Sequence, residues 1–133
     1  MRTILLDQPF AGEEFRRLLE AHGARAVLAG GAALYREAEK IMAASKQIVP
    51  VDTGNLRNTG HVAPPDFLQS SVSVEMGYGG PAAPYAIYVH ERLDLRHKAG
   101  QYAKFLEFPA LQAVSGMEER LAAEIRAELE RAA

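Results

Sequence analysis

Apolar and polar positions alternate with two distinct periods along this chain. Between residues 13 and 46, Leu34, Ala38, Ile41, Met42 and Ser45, continued by Val49, recur at three-to-four spacing, with charged residues on the other side. That spacing places them on one face of a helix. Phe15, Leu18 and Leu19 make a similar stripe earlier, but Gly23 and the pair Gly30–Gly31 interrupt the stretch. Each glycine costs up to about 1 kcal/mol relative to alanine inside a helix, so the pattern predicts either two helices or one weakened rod. Pro50 ends it, because proline drives Val49 toward extended geometry and brings no amide hydrogen.

The second period is two. Val72, Val74, Met76 and Tyr78 alternate with Ser71, Ser73, Glu75 and Gly77, the signature of a strand with one face buried and one wet, which favours an antiparallel sheet. Between the two patterns lies a turn cluster, Pro50-Val51-Asp52-Thr53-Gly54-Asn55, in which Asp52 can accept from downstream amides and Gly54 can take a positive φ. Residues 56 to 62 are a strand candidate. Pro84 can open a short helix holding Tyr85, Ile87, Tyr88 and Val89, with a strand as the alternative. Residues 92 to 100 read as an exposed loop and 102 to 108 as a further strand, with Phe108 held extended by Pro109. Val114, Met117, Leu121, Ile125 and Leu129 then trace the apolar stripe of a C-terminal helix. The expectation is a single α+β domain over residues 1–133: a small antiparallel sheet packed by a long N-terminal helical region and a C-terminal helix.

Composition narrows the function classes. The chain has 133 residues, 48% of them hydrophobic, enough for one core without staples. No cysteine is present, which removes disulfides, thiolate metal sites and cysteine nucleophiles together. A net charge of −2 advertises neither a nucleic-acid nor a membrane surface, and no apolar run approaches the about 20 residues a bilayer needs. The expectation is a soluble chain with no membrane partner.

Candidate chemistry is sparse. Gly77-Tyr78-Gly79-Gly80-Pro81-Ala82 matches the letters of a dinucleotide fingerprint. That fold needs free amides at a helix N-terminus within a parallel βαβ unit, and Pro81 and Pro84 remove amides, so a tight glycine turn is the better reading. The four histidines, His22, His61, His90 and His97, lack close ligand spacing; the nearest pair, His90 and His97, has Glu91 and Asp94 for company. A triad of Ser70 or Ser71 with His90 and Asp94 can be drawn on paper, but no nucleophile-elbow spacing supports it. Glu118 and Glu119 fall on the wet side of the last helix. Arg92, Arg96, His97 and Lys98, with Asp94 between, form the one locally basic loop and could touch phosphates or a protein partner.

At Val49-Pro50-Val51-Asp52-Thr53-Gly54-Asn55-Leu56-Arg57 the chain resembles the small tail-component proteins of long-tailed bacteriophages, which act in the neck as head-to-tail joining or tail-completion proteins. Their segment "P-V-D-T-G-x-L-R" follows a long helix. The resemblance continues through Tyr85-Ala86-Ile87-Tyr88-Val89-His90-Glu91, similar to "Y-A-x-Y-V-E", and through residues 100–110, similar to "K-F-L-E-x-P" before a final helix. It implies a structural subunit of the virion, without enzymatic activity, cofactor or metal, assembled in the host bacterial cytoplasm. Such a subunit forms a ring, typically of six copies, against head-closure and tail-tube or tail-terminator proteins. A tail terminator or other minor tail protein is the neighbouring role. Of the other classes, a metal-dependent hydrolase would use His90, Glu91 and His97, and a toxin or DNA-binding module would bind short duplexes. The expected interaction residues are Asp52, Thr53, Gly54, Leu56, Arg57, Arg92, Arg96, His97 and Lys98. The basic loop is expected to face acidic groups of a neighbouring ring or DNA passing through the lumen.

Overall fold

The computed structural model describes residues 3–9, 13–51, 54–67, 71–80, 85–95 and 97–132. In chain order the elements are β1 (Thr3–Pro9), α1 (Glu13–His22), α2 (Ala24–Ile48), α3 (Asn55–Asn58), β2 (His61–Val62), β3 (Asp66–Phe67), β4 (Ser71–Gly77), α4 (Ala86–Glu91), α5 (Glu107–Val114) and α6 (Met117–Ala132). The architecture is α+β, as the two periods predict. A small antiparallel sheet packs against α2, and α2 also carries α1, α5 and α6. At 25 residues, α2 is about 37 Å long and touches most of the molecule.

The stripe on α2 is the core. Leu34, Ala38, Ile41, Met42 and Ser45 are buried on it, facing the even positions of β4, where Val72, Val74, Met76 and Tyr78 are all buried. Met117, Leu121, Ile125 and Leu129 of α6 complete it. Each large apolar side chain so buried contributes about 1.5–3 kcal/mol. The alanines of α2 let helix and sheet approach closely. Val49 ends α2 in extended geometry, φ −63° and ψ 136°, as the following proline dictates.

β4 is the central strand. β1 pairs along its whole length, from Thr3 opposite Gly77 to Pro9 opposite Ser71. β2 and β3 share the other edge: His61 and Val62 lie opposite Gly77 and Met76, while Asp66 and Phe67 lie opposite Ser73 and Val72. From Val62 to Asp66 the edge advances four residues while β4 advances three, from Met76 to Ser73. Pro64 and Pro65 therefore sit in a one-residue bulge on an edge strand, a place where their missing N–H groups cost nothing to the ladder.

Five sequence expectations are corrected. Gly23, with φ +57°, breaks the helical region, whereas Gly30 and Gly31 lie inside an uninterrupted α2. Gly31 lies against the Phe67 ring, whose tip a Cβ at this position would meet at 2.5 Å. Residues 56–62 are not one strand: Gly54, at φ +89°, starts the single turn of α3, and only His61 and Val62 pair with β4. Residues 102–108 are not a strand either. The Tyr102 N–H donates to Ile48 O at 2.9 Å and the Lys104 N–H to His90 O at 2.8 Å, pinning the segment between α2 and α4, and Lys104 turns at φ +55°. Phe108 is helical, its N–H donating to Lys104 O, and Pro109 occupies the first turn of α5, where no N–H is required. Finally, Val114 is exposed and outside the C-terminal stripe, because Gly116, at φ +73°, turns the chain between α5 and α6.

Candidate functional site

Proline at position 50 stops α2, and the chain that follows is tied back by side chain and backbone. The Val51 N–H donates to Gln101 Oε1 at 3.0 Å, and Gln101 is itself set by a turn in which its N–H donates to Lys98 O. Together with α4, these segments surround a groove of about 590 Å³. Pro50, Val51, Gly54, Asn55 and Leu56 line one part, Tyr85 at the N-cap of α4 and Val89 within it another, and His97, Lys98 and Gln101 a third. The three segments that carry the resemblance, up to 50 positions apart, thus contribute to one concavity or its immediate support.

The groove holds one unusual atom. His97 Nε2 is buried and has no hydrogen-bond partner among the described residues. A buried ring nitrogen left unpaired costs about 1–3 kcal/mol. Lys98 beside it is exposed. Arg92 of the same loop is already engaged. Its Nε donates to Asp94 Oδ1 at 2.8 Å, its Nη1 to the Tyr88 hydroxyl at 2.9 Å, and its guanidinium lies over the Tyr88 ring at 4.9 Å. That pairing pushes the Asp94 carboxyl down to about 2. Arg57 points elsewhere, its Nε donating to Lys46 O at 3.1 Å near the end of α2, and Leu56 is buried at the groove. Of the expected interaction residues, Gly54, Leu56, His97 and Lys98 share the groove, Arg57 and Arg92 do not line it, and Asp52, Thr53 and Arg96 lie outside the described residues.

Next to the groove, α4 supports a second cluster. His90 is completely buried, in contrast to exposed His22 and His61. The Glu107 N–H donates to His90 Nε2 at 3.2 Å, so that nitrogen carries the lone pair and Nδ1 carries the proton, aimed at Glu91 Oε1 3.2 Å away. The Phe105 ring stands edge-on to both His90 and Tyr78, with centroids 4.9 and 5.0 Å apart. The Lys104 ammonium binds Glu91 Oε2 and lies 3.2 Å from Glu107 Oε2. That ammonium holds the Glu91 carboxyl below its ordinary value, against the opposing effect of desolvation, and the His90 N–H adds to the lowering. Glu91 in turn raises Lys104, with Glu107 helping.

Ligand atoms of His90, Glu91 and Glu107 all fall within 4.8 Å of one another, a spacing that could hold a metal ion. His97, the third ligand expected for a hydrolase, lines the groove and is not part of this group. Lys104 stands between the two carboxylates and supplies the positive charge a cation would bring. Among the described residues the paper triad is not assembled around His90, whose two nitrogens face Glu91 and the Glu107 amide, while Asp94 is held by Arg92; Ser70 lies outside the described residues. Gln101, Lys104 and Glu107 were not singled out from sequence as site residues; the i,i+3 spacing of Lys104 and Glu107 was the available signal for that pair. No known family model matches this chain, and no curated protein or solved structure is significantly similar to it.

Proposed function

We propose that this chain is a structural subunit of a tailed phage or phage-like particle, forming a ring at the head–tail interface as a tail-completion or head-to-tail joining protein. The observation that carries the reading is the convergence on one groove and its adjoining cluster of the three segments through which the sequence resembles that family. A chain that works by fitting surfaces needs exposed apolar area, and α4 with its N-cap and α5 supply it: Tyr85, Ile87 and Tyr88 at one, Phe108, Leu111 and Val114 on the other. Its partners would be copies of itself and the head-closure and tail-tube or terminator proteins, with genomic DNA passing the lumen.

The test is loss of the protein from the particle-producing strain. Filled heads beside tails of normal length are expected, and complementation should restore joined particles. Tails of abnormal length would point to the tail-terminator role, and unaltered infectious particles would overturn the structural reading.

The His90, Glu91 and Glu107 cluster favours one other reading, a small metal-dependent hydrolase. It requires stoichiometric zinc or manganese on the purified protein, lost in His90→Ala, together with turnover of a substrate.

A further inference from the structure

A ring built from identical copies needs two different patches on each, one fitting the other on the next copy. Resting on the ring reading above, the geometry points to the groove as one patch and the corner between α5 and α6 as the other, seated in the groove of a second copy of this chain. The two surfaces match in both apolar character and charge.

The groove offers apolar walls from Val51, Leu56 and Val89, the exposed ring of Tyr85, and at its third part His97 and the exposed Lys98. Lys98 has no ion-pair partner among the described residues. The corner offers the reverse set. Leu111 and Val114, spaced i,i+3 on α5, are 66% and 60% exposed, and Glu118 and Glu119 in the first turn of α6 are exposed and have no ion-pair partner among the described residues. Apolar surface thus meets apolar surface, and carboxylates without an ion-pair partner among the described residues meet the Lys98 ammonium.

The corner is also rigid, which lowers the ordering cost of docking. Arg120 donates from Nη1 to Ser115 O at 2.9 Å, from Nη2 to Ala113 O at 2.6 Å and from Nε to Glu37 Oε1 at 2.7 Å, fastening the turn to α2. Because groove and corner are different patches, each copy uses both, and the contact propagates head to tail until it closes or runs on.

The chain has no cysteine, so introduced thiols report on one contact only. Tyr85→Cys protein mixed with Val114→Cys protein is oxidised, with Leu28→Cys plus Val114→Cys as the control, since Leu28 is more exposed than Tyr85, 61% against 42%, but lies on α2. The expected result is a disulfide-linked pair from the first mixture and little from the second, and a ladder of multimers from Tyr85→Cys/Val114→Cys in one chain. Lys98→Glu should weaken the association about tenfold or more, and Glu118→Lys/Glu119→Lys in the same chain should restore it. Circular dichroism of each variant should match the parent, because every altered side chain is exposed. Equal cross-linking in the two mixtures, a charge swap without rescue, or a parent that sediments as a monomer up to about 1 mM would overturn the contact. Mass spectrometry of purified particles separates this from the wider reading. The chain in particles without the cross-link refutes the contact alone, and the cross-link in a chain missing from particles refutes the virion role alone.

Discussion

Replacing Arg120 with alanine removes three hydrogen bonds at once. Glu37 on α2 is only 3% exposed and its carboxylate receives Arg120 Nε at 2.7 Å, while its remaining cation, Lys40, is 3.7 Å away with its side chain largely in solvent. Breaking a fully buried pair by deleting one partner costs about 3–5 kcal/mol. Because the Arg120 side chain is 43% exposed, and the freed carbonyls of Ala113 and Ser115 can turn to water, the expected cost is lower, about 2–3 kcal/mol. For a domain of this size that corresponds to a fall in Tm of about 10 °C by calorimetry. Arg120→Lys should recover less than half of it, since an ammonium cannot reach Glu37 and two carbonyls with a planar fork. In a double-mutant cycle with Glu37→Gln, the two losses should fall short of additivity by about 1–2 kcal/mol. A Tm change under about 2 °C, or strict additivity, would refute the assignment of Arg120 as the clamp between α2, α5 and α6.

Two further expectations concern the core. Gly31→Ala should destabilise the parent in urea unfolding, because its Cβ would lie 2.5 and 2.6 Å from the Phe67 ring, yet on a Phe67→Ala background the same change should stabilise by up to about 1 kcal/mol through helix propensity. Equal signs on the two backgrounds would show that Phe67 is not the reason for the glycine. Tyr78→Phe should cost about 1–2 kcal/mol, because Ser45 Oγ, 2.8 Å from the Tyr78 hydroxyl and fully buried, loses its partner. Burial pushes the Tyr78 phenol from 10.0 up to about 12, with the Ser45 bond opposing. The unfolded state therefore loses the proton first as pH rises, so stability falls between pH 10 and about 12, and the variant should show a smaller fall than the parent over that window.

The helix and strand that make the core were readable because each shows its own period over enough residues: Leu34 to Val49 at three-to-four spacing, Val72 to Tyr78 at two. What escaped was set by contacts distant in sequence. β1 has only Ile4, Leu5 and Leu6 as an apolar run, and its identity as a strand comes from pairing with β4, more than 60 residues later. The glycine pair looked like a helix breaker because propensity is local, whereas α2 runs through it with Gly31 buried against a ring from β3. Residues 102–106 carry the aromatic and apolar character of a strand, but their amides are taken by Ile48 and His90 carbonyls, so no ladder forms. The groove was legible in part. Gly54, Leu56, His97 and Lys98 stood out from their turn and loop chemistry, while Gln101, which ties two of its segments together, has no local signal to mark it. His90 could not be told from an exposed histidine until Phe105 and the Glu107 amide were seen around it.

The paired prolines opposite β4 have a consequence for growth. Their rank is two short stubs with a kink and two missing donors between them, so a further strand finds no continuous row of partners on that flank. On the opposite flank, β1 is an unbroken run of seven residues with nothing laid beside it among the described residues. Among the described residues, the edge open to a further strand is therefore the one alongside β1.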